Sequence, residues 1–381
     1  MEIKKVAILT NGGDAPGLNA VIRAITKSCE KKGVQVFAYI EGYKGLLNNE
    51  YIELSSNTNA SGLLTKGGTI IGSSSSTNVF NYPVEVNGEK QYVDYSDKCI
   101  ANIKEAGFDC IFALGGDGTQ KSARDFATKG LNIIGIPKTI DNDVAHTEIT
   151  FGYNTAVTVA TDALDRLHTT AESHKRVMVL EVMGRYAGWI ALESAIAGGA
   201  DVALIPEIPF DYDVVAQSIL RRKNKGKNFS LVVVAEGAAE KGGEMTTKRI
   251  DKTSPDSIKL GGIGEQVAEE LEKRTGIVSR ATVLGYVQRG GTPTSFDRVL
   301  STKYGAYAVH LALNGIFGVL VTMKDSKLSH VSLEDVVGDN KVIGAVSGNT
   351  KETNIKRVNL DHDLIRTARS VGICLGTDFT Q

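Results

Sequence analysis

The stretch FDCIFALGGDGTQKSARDFATKG (108–130) decides how this chain is read. Its apolar run is short, continuous and ends at two glycines, and KSARDFATKG behind it reads as a helix. A continuous apolar run suits a strand covered on both faces. Glycines at its end let backbone approach a ligand, and a helix start favours phosphate. Asp117 lies among these glycines. A carboxylate beside close-approach amides is unfavourable unless a cation joins it. Mg²⁺ brought by a polyphosphate fits, because Mg²⁺ usually takes only one or two protein carboxylates. The plainer alternative is an aspartate that caps the helix.

Working outward, LNIIGI runs into PKTIDND (137–143), which gathers Lys138, Thr139, Asp141 and Asp143. In an extended segment Asp141 and Asp143 share a face. One acid can take a proton from an attacking alcohol and the other can help hold metal, while the lysine meets phosphate oxygens. Upstream, NGGDAPGLNAVIRAI (11–25) places Gly12, Gly13 and Gly17 between a strand pattern and a helix. It matches neither GxGxxG nor a Walker loop, so it reads as a phosphate turn or as a plain tight turn. Arg176, Arg185, Arg280 and Arg289 fall at the ends of apolar runs. Arginine there suits bidentate phosphate recognition, although a surface ion pair is the commoner fate.

The same pattern covers the chain. Apolar runs at 4–10, 34–40, 110–116, 132–137, 177–184, 202–207, 231–237 and 281–287 alternate with helical stretches. That alternation predicts α/β architecture with parallel sheets, whose ligands collect at the carboxyl ends of the strands. Segments 73–98 and 238–262 lack a burying period and read as insertions or surface loops. The 381 residues allow two domains. A net charge of −1 excludes a global field that favours nucleic acid or acidic membranes, so an anion site must be local. Four scattered cysteines suggest reduced thiols. With no signal-like segment and no membrane-length apolar run, a soluble cytoplasmic protein is expected.

The motifs TNGGDAPGLNAVIRA, EGYKGL, GGDGT, PKTIDND, SHKR, MGRYAGW, PEIPF, AEG and LGYVQRGGTPTSFDR follow one another in the order found in the phosphofructokinases. The chain resembles that family over roughly residues 4–340. The resemblance implies two doubly wound, Rossmann-like α/β lobes with the active site in the cleft between them. The larger donor lobe would be 1–152 plus 288–338, and the smaller sugar-phosphate lobe 153–287 plus 339–381. It implies transfer from Mg·ATP to the 1-hydroxyl of fructose 6-phosphate, giving fructose 1,6-bisphosphate in glycolysis. Asp141 resembles the general base, with Arg185 and Lys138 at the transferred group and Gly118 leaving room for a nucleotide. Thr139, Asp143, Met183, Gly184, Glu236, Tyr286 and Arg289 resemble sugar-phosphate contacts. The equivalents of Arg176 and Arg280 reach into a neighbouring subunit, so the resemblance implies at least a dimer, with a tetramer expected. Gly12, Gly13, Tyr43, Ser75, Gly116, Asp117, Gly118 and Thr119 match the ATP site, and Asp117 the Mg²⁺ site, with Asp143 supporting.

Two residues keep other readings open. Lys138 is typical of pyrophosphate-dependent members, while Gly118 replaces the acid those enzymes carry; the steric gate favours ATP. Ser75 stands where the family usually has an arginine that bridges the two phosphates. Losing such a cation can cost orders of magnitude in rate. The alternatives are a pyrophosphate-dependent enzyme, a non-catalytic regulatory paralogue because of Ser75, and a sedoheptulose 7-phosphate kinase, which the same phosphate pocket and 1-hydroxyl base would serve.

Overall fold

The computed structural model describes residues 2–250, 258–337 and 355–378. Their strands are β1 (Lys5–Thr10), β2 (Gln35–Tyr39), β3 (Tyr51–Leu54), β4 (Tyr82–Val86), β5 (Glu89–Val93), β6 (Cys110–Gly115), β7 (Ile133–Pro137), β8 (Val177–Val182), β9 (Val202–Leu204), β10 (Ser230–Ala235), β11 (Thr247–Ile250), β12 (Ile258–Leu260), β13 (Ser279–Val283), β14 (Val319–Lys324) and β15 (Lys327–Ser332). Each apolar run read from the sequence supplies one of them. The larger sheet has the order β15-β14-β7-β6-β1-β2-β3 and the smaller one β13-β8-β10-β9. The smaller sheet is parallel throughout. The larger is parallel except at its two edges, where β3 and β15 pair antiparallel.

Why the runs are continuous is visible in the packing. Successive strand residues point to opposite faces. Val6 and Ile8 join one cluster with Phe112 and Leu114; Ala7 and Leu9 join another with Ile111 and Ala113. In the smaller sheet Leu180 and Val182 face one way with Val233 and Ala235, and Val177 and Val179 the other with Val232 and Val234. Helices cover both faces of both sheets, so neither face tolerates a polar alternation. On the larger sheet, helix Leu18–Glu30 packs against helix Ser295–Leu313. A Cβ on Gly305 would come 2.9 Å from that of Ala24.

Segment 281–287 departs from its reading as one strand. β13 ends at Val283 and Gly285–Arg289 forms a 3₁₀ turn. Gly285 adopts φ 52°, which breaks the extended backbone. The insertion at 73–98 is more ordered than a loop: β4 and β5 form a hairpin. Its turn is Asn87-Gly88, with φ 55° and 81°, the positive pair a tight two-residue hairpin requires. Of 238–262, β11 and β12 also pair antiparallel, and 251–257 lie outside the described residues. The second expected lobe crossing, near residue 338, lies outside them too. Among the described residues no helix is long and apolar enough to cross a membrane. All four cysteines are free and buried.

Candidate active site

Five loops at the carboxyl ends of parallel strands converge: those after β1, β6 and β7 in the larger sheet, and after β8 and β10 in the smaller. This is where open α/β sheets bind ligands. The turn after β6 is held from inside. Gln120 is fully buried, and its Nε2 donates to the carbonyls of Gly115 at 2.9 Å and Ile136 at 3.2 Å, tying the ends of β6 and β7 together. Asp117 and Gly118 occupy the exposed first turn of helix Asp117–Thr128, and Thr119 Oγ1 donates to the Asn11 carbonyl. Tyr43 is wholly buried and donates to the Thr119 carbonyl at 3.1 Å, so its ring supports the turn from within the core.

The glycine loop after β1 is laced to the serine run. Gly12 N donates to Ser74 O at 2.9 Å, and Ser73 Oγ to Gly12 O at 2.6 Å; Ser75 beside them is exposed. Lys138, 3% exposed, turns its ammonium onto the Gly13 carbonyl. Burial, reinforced by the positive charge of Arg289, pushes this lysine down to about 7, against the pull of Asp141, Asp14 and Asp143.

Beyond β7, Asp141 is 3% exposed, and its Oδ1 has no hydrogen-bond partner among the described residues. Its backbone N–H donates to Thr139 Oγ1 at 3.1 Å. Thr139 is pinned in turn by the Thr150 hydroxyl on its carbonyl at 2.7 Å. Burial, and then the charge of Asp141, raise the Asp143 carboxyl to about 7, with Arg185 opposing. The outer side of Asp117 is open to solvent, but protein crowding its inner side still raises it above the carboxylate range, against Arg185 and Lys121.

From the smaller sheet, Gly184 and Arg185 adopt φ 137° and 52°. A left-handed arginine stores strain of about 1–3 kcal/mol and persists only where its surroundings impose it. Here the Arg185 N–H donates to Glu236 Oε1 at 3.1 Å, and the Arg185 carbonyl presses so closely on Gly237 that a Cβ there would collide with it. Burial and then Asp141 raise Glu236 to about 7. Gln288, fully buried, accepts from Met183 N at 3.4 Å and joins this turn to the 3₁₀ turn.

The structure thus brings together Gly12, Gly13, Gly116, Asp117, Gly118, Thr119, Lys138, Thr139, Asp141, Asp143, Met183, Gly184, Arg185 and Glu236. It separates others. Arg289 was grouped with Tyr286, but its guanidinium lies against Gly13 and donates to the Asp14 carbonyl at 3.1 Å. Tyr286 is 80% exposed. Arg280 is exposed and donates to Glu272 at 3.1 Å, and Arg176 is half-buried before β8. Lys121, one helical turn after Asp117, escaped the sequence reading, although i, i+4 spacing alone marks it. Asp14, in the glycine loop, is a further residue at the site, its charge acting on Lys138 and its carbonyl accepting from Arg289.

A site for Mg²⁺ fits these residues. Asp117 and Asp143 lie close enough for Asp117 to raise the Asp143 carboxyl further, and a divalent cation would relieve that repulsion. No cluster of three or more His, Cys, Asp or Glu suited to a metal occurs among the described residues. A metal delivered on phosphate oxygens needs only one or two carboxylates.

Glycine turns, buried acids and cations at converging strand ends define an α/β phosphotransferase. A profile of the phosphofructokinase family matches residues 5–312. ATP-dependent 6-phosphofructokinase 2 of Clostridium perfringens is 50% identical over 377 residues, covering 97% of this chain and 98% of that protein. ATP-dependent 6-phosphofructokinase 3 of Bacteroides thetaiotaomicron is 44% identical over 373 residues, covering 98% and 100%. Among solved structures, Pichia pastoris phosphofructokinase in the T-state superposes with a TM-score of 0.74 at 34% identity, covering 88% of this chain and 35% of that one. A pyrophosphate-dependent phosphofructokinase from Marinobacter aquaeolei superposes with a TM-score of 0.75 at 21% identity, which speaks to the fold alone. The chain belongs to the phosphofructokinase family.

Proposed function

We propose that this protein is an ATP-dependent 6-phosphofructokinase that acts in glycolysis in the cytoplasm. The observation that carries the reading is Asp141, a buried carboxylate with one oxygen unpartnered, whose charge acts on Lys138, Asp143 and Glu236 around it. Asp141 takes the proton of the fructose 6-phosphate 1-hydroxyl as its oxygen bonds to the terminal phosphorus of ATP. The bond to the bridging oxygen breaks, and ADP leaves. Lys138 and Arg185 meet the charge that spreads over the transferred group. Asp117 and Asp143 would hold Mg²⁺, which when bound would neutralise charge on the donor phosphates. Thr139, Met183, Gly184 and Glu236 orient the sugar phosphate. Gly12, Gly13, Gly116, Gly118 and Thr119 line the donor side, Tyr43 acts there through the Thr119 backbone it supports, and Ser75 lies exposed beside the loop.

The larger lobe is 1–152 plus 288–338 and the smaller 153–287 plus 339–381. Membership of the two sheets supports this division: β14 and β15 return to the larger sheet after β13 leaves the smaller. The protein works as an oligomer, at least a dimer and expected to be a tetramer. Exposure of Arg280, Tyr286, Val283 and Val287 around one turn supports a second copy there, with Arg176 and Arg280 completing a partner's 6-phosphate pocket. Lys138 lies against Gly13, on the donor side, where it can stand in for the missing arginine at Ser75.

The test compares fructose 1,6-bisphosphate formation with Mg²⁺ and ATP, GTP, ADP or pyrophosphate at equal concentrations. Turnover with ATP alone is expected. Turnover with pyrophosphate alone would overturn the donor, and no turnover with any donor would move the protein to another sugar phosphate or to a regulatory role.

A further inference from the structure

Residues 355–358 touch both halves of the site, and no role for them follows from the chemistry above. Ile355 bridges Val144 in antiparallel fashion, and Lys356 N donates to the Asp143 carbonyl at 2.8 Å. The Lys356 ammonium caps the same turn from the side. It donates to Asn142 Oδ1 at 2.9 Å, the Glu148 carbonyl at 2.8 Å and the Thr147 carbonyl at 3.1 Å. Asn142 is the residue between Asp141 and Asp143, and it is left-handed, with φ 53°. Its Oδ1 also accepts from Thr150 N at 3.1 Å, so the ammonium and that amide fix it together.

The other side of the segment grips the smaller lobe. Trp189 Nε1 donates to the Lys356 carbonyl at 3.1 Å, and the ammonium lies 5.2 Å from the centre of the Trp189 ring. Arg357 Nε donates to the Tyr186 carbonyl at 3.0 Å. Val358 N donates to Glu207 Oε1 at 2.9 Å, and the same carboxylate accepts from Gly188 N at 3.0 Å. The chain from Arg185 to Trp189 is therefore fastened to the chain from Asp141 to Asp143 through four consecutive residues.

We infer that residues 355–358 are a strap setting the distance between the base turn and the Arg185 turn, with Lys356 as its positioning residue. In-line transfer needs Asp141 and Arg185 held at a fixed separation around one reacting group, and small misplacements are severe. Neither turn is regular structure, and each contains a left-handed non-glycine residue, so each relies on outside contacts for its shape. Lys356 does not touch the reacting atoms; it acts through Asn142 and Trp189.

The inference rests on the proposed kinase activity, so its test has one readout that needs turnover and one that does not. Lys356→Met keeps the stem over Trp189 and removes the ammonium bonds. Its kcat should fall roughly 10-fold or more, with fructose 6-phosphate affinity by calorimetry within about 3-fold of wild type. Lys356→Arg should recover part of the rate. Hydrogen exchange should quicken at 141–150 and at 185–189 in Lys356→Met without ligands, whether or not the wild type turns over fructose 6-phosphate. Asn142→Ala should reproduce the rate loss if Lys356→Met fails to fold. Unchanged kcat in the folded variants, a rate loss that only tracks the folded fraction, or faster exchange at 141–150 alone would each overturn the strap.

Discussion

At Asp141 the chemistry and the fold oppose each other. A carboxylate with a buried, unpartnered oxygen is costly in the resting protein, and a reacting hydroxyl would satisfy it. Asp141→Asn keeps the shape and removes the base; turnover should fall by roughly 10²–10⁴-fold while fructose 6-phosphate still binds, as calorimetry would register. Turnover within a few-fold of wild type would remove Asp141 from the role. Gly118→Asp should raise the KM for ATP more than that for pyrophosphate, and an equal effect on both would sink the steric gate. Glu236 has a folded value raised by burial, so protonation favours the folded state. That advantage is complete below its unfolded value, 4.5, and is lost as pH rises through about 7. Glu236→Gln should therefore raise the thermal midpoint of the ligand-free protein at about pH 8 relative to wild type, and much less near pH 5.

Among the elements, the ends of β6 and β7 show how strands become a site. Gln120 directs one amide at the carbonyls of both, and Gly135 leaves it room, since a Cβ there would strike its Oε1. Gln120→Met should lower stability by about 0.5–1.5 kcal/mol in urea unfolding, the net worth of the lost amide hydrogen bond, since the Gly115 carbonyl keeps the Lys138 N–H at 3.0 Å. It should also weaken ATP, because the Asp117 turn rests on this contact. Eight of the parallel strands were legible in the sequence, since continuous apolar runs mean burial on both faces, but β14, parallel to β7, was not among those runs. The β4–β5 hairpin was only half legible. Asn87-Gly88 announced a turn, but strands such as Glu89–Val93, largely exposed, bury too little to leave a period. The strand expected to run to 287 broke at Gly285, a single left-handed residue that apolarity does not reveal.

At the scale of the whole molecule, loops after β1, β6 and β7 of the larger sheet meet loops after β8 and β10 of the smaller one. Contacts between these two sets of loops therefore shape the candidate site. Those at Gln288 and at residues 355–358 join segments far apart in sequence. Assembly is the remaining level. If a second copy completes the 6-phosphate pocket, specific activity should fall on dilution in step with dissociation seen by sedimentation velocity, and Arg280→Ser should raise the KM for fructose 6-phosphate without altering ATP binding. Full activity in the monomer would refute the shared site.

By itself the sequence determined the kinds of residue at each strand end, and through their order the family. Gly-Gly-Asp-Gly-Thr and Lys-Thr-Ile-Asp-Asn-Asp are local patterns, and backbone approach, helix starts and alternating acids are local physics. Only the tertiary structure decided which side chains share space. Arg289 folds back onto Gly13, Tyr43 retreats into the core, and Lys356, in a segment with no period or motif, closes over the base turn. These placements depend on how two sheets dock and where the chain returns, and no window of sequence contains both partners of such a contact.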